Sequence, residues 1–265
     1  MNASQPIGMF DSGLGGLSVY REIRALLPVE DIIYYADCAY CPYGTRSPGE
    51  IRNRSRLIAG MLLEQGAKVI VVACNTASAM AIEDLRQSFP GVSFVGLEPA
   101  VKPAVKLTQS GKVGVLATPR TVTGERLRWL IETHGGGVEV RTVAATGLVE
   151  LVEAGTLRGP EVRAALRPLL DPMLAVGVDV VVLGCTHYPF LRDEIEAYAG
   201  PGVTVIDSGL AIARRTRQVL VDPGLLSSGF THGRLQLLTS GEAESVQAVA
   251  ESLIGEPIAP LTLAV

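Results

Sequence analysis

Apolar residues fall into two alternating kinds of segment along this chain. Short unbroken runs rich in Val and Ile alternate with longer stretches where apolar residues recur every three or four positions. The clearest of the short runs, those leading to Cys74 and Cys185, lack the polar alternation of a half-exposed sheet, so they read as strands buried on both faces. The short runs fall at 7–10, 32–36, 69–73 and 92–97, and again at 113–117, 138–143, 178–184 and 203–206. A ninth run lies at 235–238. Between them the helical spacing predicts helices from Leu17 to Pro28 and over 47–65, 76–88, 122–134, 148–154 and 160–176. Two more are predicted at 210–221 and 242–253. Ser47-Pro48-Gly49-Glu50 is a helix start, with Ser capping, Pro in the first turn and Glu closing a capping box.

Strands alternating with helices imply right-handed βαβ crossovers and a parallel sheet covered on both faces. The pattern runs through four strands and then starts again. Asp11 follows the first strand of one set, and Thr118 stands in the same place in the other. The third strands end in VIVVACNTAS and VDVVVLGCTHYPF, delivering Cys74 and Cys185. Asp11 to Cys74 spans 63 residues and Thr118 to Cys185 spans 67. The repeat is one of pattern, not identity, and it predicts two α/β units. Ligands in such sheets bind beyond the carboxyl ends of the strands, and Asp11, Asp37, Cys74, Thr118 and Cys185 all lie just past predicted strand ends.

The totals narrow the class. With 48% hydrophobic residues among 265 and a mean hydropathy of +0.32, the chain can bury a sizeable core. A net charge of −4 and no Lys/Arg-rich run leave no nucleic-acid footprint. No apolar run reaches membrane-spanning length, and the N-terminus lacks the charged and apolar regions of a signal peptide. A cytoplasmic protein is expected, with its four cysteines reduced.

A lone Cys after a buried strand is most often a small hydrophobe. Here two of them end matching strands. A thiol in the first turn of a helix meets unpaired N–H groups and the positive end of the dipole, which favour the thiolate. That argument predicts a lowered pKa for both. His187, two residues after Cys185, can exchange protons with it. His134 suits a helix C-terminus for local reasons, and His232 sits in a polar loop. Cys38-Ala39-Tyr40-Cys41 is a CxxC without a second ligand pair, and Pro42 follows it. It reads as loop sequence with no metal or redox role. The turn at 11–16 lacks the Lys-Ser/Thr of a P-loop and the spacing of a dinucleotide fingerprint. None of the four lysines follows a strand as a Schiff-base lysine would. No cofactor and no metal are expected.

Several stretches together carry a specific resemblance. FDSGLGGLSV, YYADCAYCPYGTRS, VVACNTAS, VGVLATPRTV, LVELVEAG, VVLGCTHYPFL and VIDSGLAIARR occur in this order across nearly the whole chain. They resemble the signature blocks of the glutamate racemases, within the aspartate/glutamate racemase family. The resemblance implies two flavodoxin-like α/β domains related by a pseudo-twofold axis, with the active site in the cleft between them. The first domain would comprise 1–97 plus 208–265, and the second 98–207. It implies cofactor-independent interconversion of L- and D-glutamate, supplying D-glutamate for peptidoglycan. Cys74 would deprotonate D-glutamate and Cys185 L-glutamate, with Asp11 assisting the first and His187 the second. Asp11, Ser12, Tyr43, Gly44, Asn75, Thr76, Thr186 and His187 fall on substrate-binding positions. Asp37, Thr118 and Glu153 fall on supporting ones, where a cap or ion pair is the rival role. A homodimer is common in the family, and an activator site built on an N-terminal extension is not expected here. The chain departs from the family at Cys38, where Thr is common, at Ala145-Thr146, where Cys-Pro is frequent, and at Leu210, where Glu is common. An aspartate or broad-specificity racemase, or a non-catalytic amino-acid-binding protein, stands as the alternative.

Overall fold

The computed structural model describes residues 2–229, 231–259 and 261–263. The first run of the chain lays down β1 (Ile7–Asp11), α1 (Leu17–Leu26), β2 (Ile32–Ala36), α2 (Pro48–Glu64), β3 (Val69–Val72), α3 (Asn75–Ser88), β4 (Phe94–Gly96) and α4 (Val101–Leu107). The second gives β5 (Lys112–Ala117), α5 (Pro119–Val122), α6 (Glu125–His134), β6 (Glu139–Ala144), α7 (Leu148–Glu153) and α8 (Pro160–Leu174). It continues with β7 (Val180–Leu183), α9 (Arg192–Ala199) and β8 (Thr204–Ile206). The chain ends with α10 (Gly209–Val221), β9 (Leu235–Thr239), α11 (Ala243–Ile254) and β10 (Thr262–Leu263).

Two all-parallel sheets result. One has the order β10-β9-β2-β1-β3-β4 and the other β6-β5-β7-β8. Within each set of four the order is the same, second-first-third-fourth. Strand order therefore reverses between the first and third strands of both sheets, the place where open α/β sheets leave a crevice at their carboxyl edge. Asp11 and Cys74 sit at that place in the first sheet, and Thr118 and Cys185 in the second. After β8, α10 packs against α1 and touches β3 and β4, and β9 then pairs with β2. The chain after β8 thus extends the first sheet.

The strands are continuous and apolar because both faces are covered: β1, β2, β3 and β7 are buried at every position. One core cluster runs through both halves, from Ile7, Leu17 and Tyr34 to Leu148, Val181, Leu191 and Ile212. Ser47 and Glu50 form the expected capping box at α2. Helix α8 keeps Pro168 and Pro172 in its interior. Both are exposed, while Val162, Leu166, Leu170 and Met173 form the buried stripe. The lost N–H groups therefore lie on the water-facing side, where they cost least.

Three local expectations change. The helix predicted at 122–134 begins later, as α6 at Glu125, and Val122 instead closes the separate short helix α5, which was not predicted. Helices α4 and α9 were not predicted. Helix α4 has no capping side chain, and α9 continues from a 3₁₀ turn at Tyr188–Leu191. Cys185 therefore precedes a 3₁₀ turn rather than the first turn of an α-helix.

Candidate active site

Asp11 ends β1 and is fully buried. Its Oδ1 accepts from Ser12 N at 2.7 Å, and its Oδ2 accepts from Gly16 N at 2.7 Å. Thr186 Oγ1, from the other half, donates to the same Oδ2 at 3.3 Å. Burial raises the Asp11 pKa, and His187 and a Cys74 hydrogen bond work against that rise.

Cys74 is the N-cap of α3, and Ala77 N donates to its sulfur at 3.5 Å. That bond favours the thiolate, as a helix start should. It does not decide the outcome. Full burial and the neighbouring Asp11 carboxylate push the thiol pKa well up. The expected lowering at Cys74 is overturned, because desolvation of the anion outweighs one long N–H···S contact. Ser12 Oγ lies 3.9 Å from this sulfur.

Cys185 Sγ lies 3.7 Å from His187 Nδ1. The other ring nitrogen, Nε2, is 2.6 Å from Glu153 Oε1 and 3.2 Å from Gly15 N. Burial disfavours the imidazolium, but contacts with Cys185, Cys41 and Glu153 outweigh it, and the His187 pKa stands well above its ordinary value. Glu153 is held below the usual carboxylate range. Its burial is overcome by His187, Leu14 N and Cys38. Leu14 N donates to Glu153 Oε1 at 2.6 Å, so α7 grips the turn after β1. A side chain at Gly15 would strike the His187 ring, and one at Gly13 would strike Glu153 and Cys41. These two glycines are there for close approach between the halves.

A second group of buried hydroxyls joins the same halves. Thr76 Oγ1 is 3.0 Å from Thr118 Oγ1 and 3.4 Å from Thr121 Oγ1. Gly44 lies against Thr118, so close that a Cβ would come within 2.8 Å of the Thr118 Cβ. Tyr43 is buried, and its hydroxyl donates to Asp37 Oδ2 at 2.5 Å. Asp37 also takes Arg54 on both oxygens, at 3.0 and 2.7 Å, and Ser240 Oγ at 2.8 Å. Asp37 therefore fixes the Tyr43-Gly44 loop from behind. The Asn75 side-chain nitrogen is buried with no hydrogen-bond partner among the described residues.

Asp11, Ser12, Cys74, Thr186, Cys185, His187 and Glu153 thus form one contact network, and Tyr43 joins Asp37 beside it. Thr76, Thr118 and Gly44 form the hydroxyl cluster, with Asn75 opening α3 alongside. A crevice of only about 10 Å³, too small for a five-carbon diacid, touches Asn75, Cys185 and Thr186. A wider depression of about 420 Å³, lined by Arg21, Arg158, Arg192 and Asp193, reaches neither thiol. Sequence reasoning missed Cys41 and Thr121 as neighbours of these groups. Cys41 touches His187, and burial lifts its thiol to about 11. The CxxC spacing was visible, but its approach to His187 is tertiary. His134 ends α6 and stacks edge-on against Trp129, away from this network. No helix among the described residues is long and apolar enough to cross a membrane.

The family model for Asp/Glu/Hydantoin racemase matches residues 7–216. Fold and match together define an enzyme, an isomerase of the amino-acid racemase class. Among the curated relatives, the glutamate racemase of Herpetosiphon aurantiacus is 51% identical over 249 residues, 94% of this chain and 98% of that one. Among solved structures, Escherichia coli glutamate racemase in complex with L-glutamate and the activator UDP-MurNAc-Ala superposes with a TM-score of 0.86 at 35% identity, covering 98% of both chains. Francisella tularensis glutamate racemase in complex with D-glutamate gives 0.86 at 29% identity, covering 99% of this chain and 98% of that one. The chain belongs to the Asp/Glu/hydantoin racemase family.

Proposed function

We propose that this enzyme interconverts L- and D-glutamate by proton transfer at the α-carbon, with Cys74 serving one face and Cys185 the other. The observation that carries this reading is the pairing of two buried thiols, one past the third strand of each sheet, with separate titratable partners. Asp11 accompanies Cys74, and His187 lies 3.7 Å from Cys185. In the L-to-D direction the Cys185 thiolate takes the α-proton, and the electron pair passes toward the substrate carboxylate. The Cys74 thiol then returns a proton from the opposite side. The sulfurs have exchanged protonation states, and the reverse turnover exchanges them back. A raised pKa at Cys74 suits its starting role as a donor, and the His187 imidazolium is a counter-ion for sulfur anion.

The carbanion needs donors aimed at the carboxylate. The unpartnered Asn75 amide nitrogen fits that need, and the Thr76, Thr118 and Thr186 hydroxyls, Ser12 and the Tyr43-Gly44 loop are the further binding groups. Asp37 and Glu153 act behind them as positioning residues. Cofactor independence is part of the proposal. Lys68 is tied to Glu30 at 2.5 Å, Lys102 and Lys106 are exposed, and Lys112 donates to Val176 O, so none stands at the thiols. Cys74 and Cys185 are only 5% and 7% exposed, so glutamate reaches them when the two lobes part. The lobes are proposed as 1–97 with 208–265, of which Met1, Phe230, Pro260, Ala264 and Val265 lie outside the described residues, and 98–207. The relatives' names support glutamate, and a cytoplasmic, homodimeric enzyme supplying D-glutamate for peptidoglycan is the matching setting.

The test is turnover in D₂O, followed separately from L- and D-glutamate by NMR. Each enantiomer's product should carry solvent deuterium at Cα while the remaining substrate stays largely protonated early in the reaction. Equal early deuteration of substrate and product would indicate one shared base and refute the two-sided assignment. Aspartate run in parallel should turn over far more slowly.

A further inference from the structure

Next to the sulfur pair lies a donor cluster that proton transfer leaves partly unused. Cys41 Sγ, a Glu153 carboxylate oxygen and a His187 ring nitrogen all lie within 4.8 Å of one another. Cys38 Sγ lies 3.8 Å from Glu153 Oε2. Cys38 opens a 3₁₀ turn, Cys38–Tyr40, and Cys41 N donates back to Cys38 O at 3.2 Å. Both thiols lie close to Glu153, Cys38 through Oε2 and Cys41 within the cluster. The CxxC that looked incidental in sequence finds its missing ligands elsewhere in the fold. Glu153 arrives from α7, and His187 from the loop after β7.

Two thiols, one imidazole and one carboxylate make a donor set that suits zinc. Ligand bonds of about 2.0–2.3 Å around a tetrahedral ion put donors roughly 3.3–3.8 Å apart. Cys41, Glu153 and His187 already lie within 4.8 Å of one another, and Cys38 stands 3.8 Å from Glu153 Oε2, so closing all four on one ion calls for side-chain rotation, that of Cys38 above all. We propose that Cys38, Cys41, Glu153 and His187 form an inhibitory binding site for Zn²⁺ or a similar thiophilic divalent cation. Binding replaces the thiol protons of Cys38 and Cys41, and any proton on the coordinating His187 nitrogen, with bonds to the metal. Those protons go to solvent, and nothing is oxidised. Binding therefore tightens as pH rises. The ion also ties the loop after β2 to the loop after β7, which holds the two lobes together. Inhibition rests on the proton-transfer reading above, because it takes His187 from Cys185. The site itself does not.

Cobalt(II) titrated into the reduced full-length protein reads the site directly. Thiolate-to-cobalt bands in the near ultraviolet and tetrahedral bands in the visible are expected, and Zn²⁺ should displace both. Cys38→Ser and Cys41→Ser should each weaken the metal at least tenfold, whereas Cys74→Ser and Cys185→Ser should retain the bands. Zinc should inhibit racemisation reversibly on addition of chelator. Cys38→Ser should keep parental turnover and need at least tenfold more zinc for half-inhibition. Its metal-free thermal midpoint reports folding, and Cys38→Ala replaces it if Ser unsettles the turn. Absence of thiolate bands would overturn the proposal. So would bands that survive Cys38→Ser but vanish in Cys74→Ser or Cys185→Ser, because the metal would then sit on the proton-transfer pair. Metal bound as expected without inhibition would overturn the inhibitory role. Metal bound as expected by a chain that does not racemise glutamate would leave the site standing and refute the proton-transfer reading instead.

Discussion

Glu153→Gln removes one charge and almost nothing else. A glutamine carbonyl can occupy the place of Oε1 and still accept from Leu14 N and His187 Nε2, both at 2.6 Å in the parent. The charge-assisted part of the His187 bond is lost, worth about 1.5–3 kcal/mol for a hydrogen bond to a charged group. At about 2–4 °C per kcal/mol for a chain of 150–250 residues, the thermal midpoint should fall by about 3–12 °C. The loss should depend on pH. The His187 pKa is raised above its ordinary 6.5, so its contribution is complete below that pH and fades as pH rises through the folded value. The Glu153 pKa lies below its ordinary 4.5, so its contribution is present above that pH and fades as pH falls through the folded value. The parent-minus-variant difference, measured by urea unfolding, should therefore be largest in mildly acidic solution and shrink as the medium becomes alkaline. A difference that stays flat across that span would show that geometry, not charge, couples Glu153 to His187. Racemisation by the variant should weaken as well, because the imidazolium loses its carboxylate.

Cys74→Ala and Cys185→Ala should each cost at least about 10²–10⁴ in kcat with little change in unfolding midpoint, as expected for loss of a proton-transfer group. Substantial turnover by either variant would defeat the assignment. Gly15→Ala should destabilise by about 1–3 kcal/mol and cripple turnover, because its methyl would overlap the His187 ring; calorimetry and kcat measured together check this. Lys68→Met strands the buried Glu30 carboxylate and should cost about 3–5 kcal/mol in urea unfolding, whereas adding Glu30→Leu should restore much of it. A single variant as stable as the parent would show that Glu30 finds other compensation.

The central strands were legible because burial on both faces leaves unbroken Val/Ile runs, whereas edge strand β6, exposed or half-buried throughout, alternates instead; the matched endings at Cys74 and Cys185 exposed the repeat. Helix α8 was legible despite two prolines because its Val162-Leu166-Leu170-Met173 stripe kept its period. Helix α4 was not, because it is only seven residues long and Ala100 offers no capping side chain. The site divides the same way. Residues at strand ends could be named from their positions, but the contact between Cys41 and His187 joins loops from different halves. The Cys74 ionisation was misjudged for a related reason. A helix start is visible in sequence, whereas full burial beside Asp11 appears only after folding.

The chain passes from the first sheet to the second after β4 and returns through α10, so two covalent links join the halves. Two links act like a pair of pins in a door. They favour rotation about one line over free tumbling or sliding, so each opening should restore the same alignment when it closes. On the proposed mechanism, each closure about that line would return the second sulfur to the same side of the α-carbon.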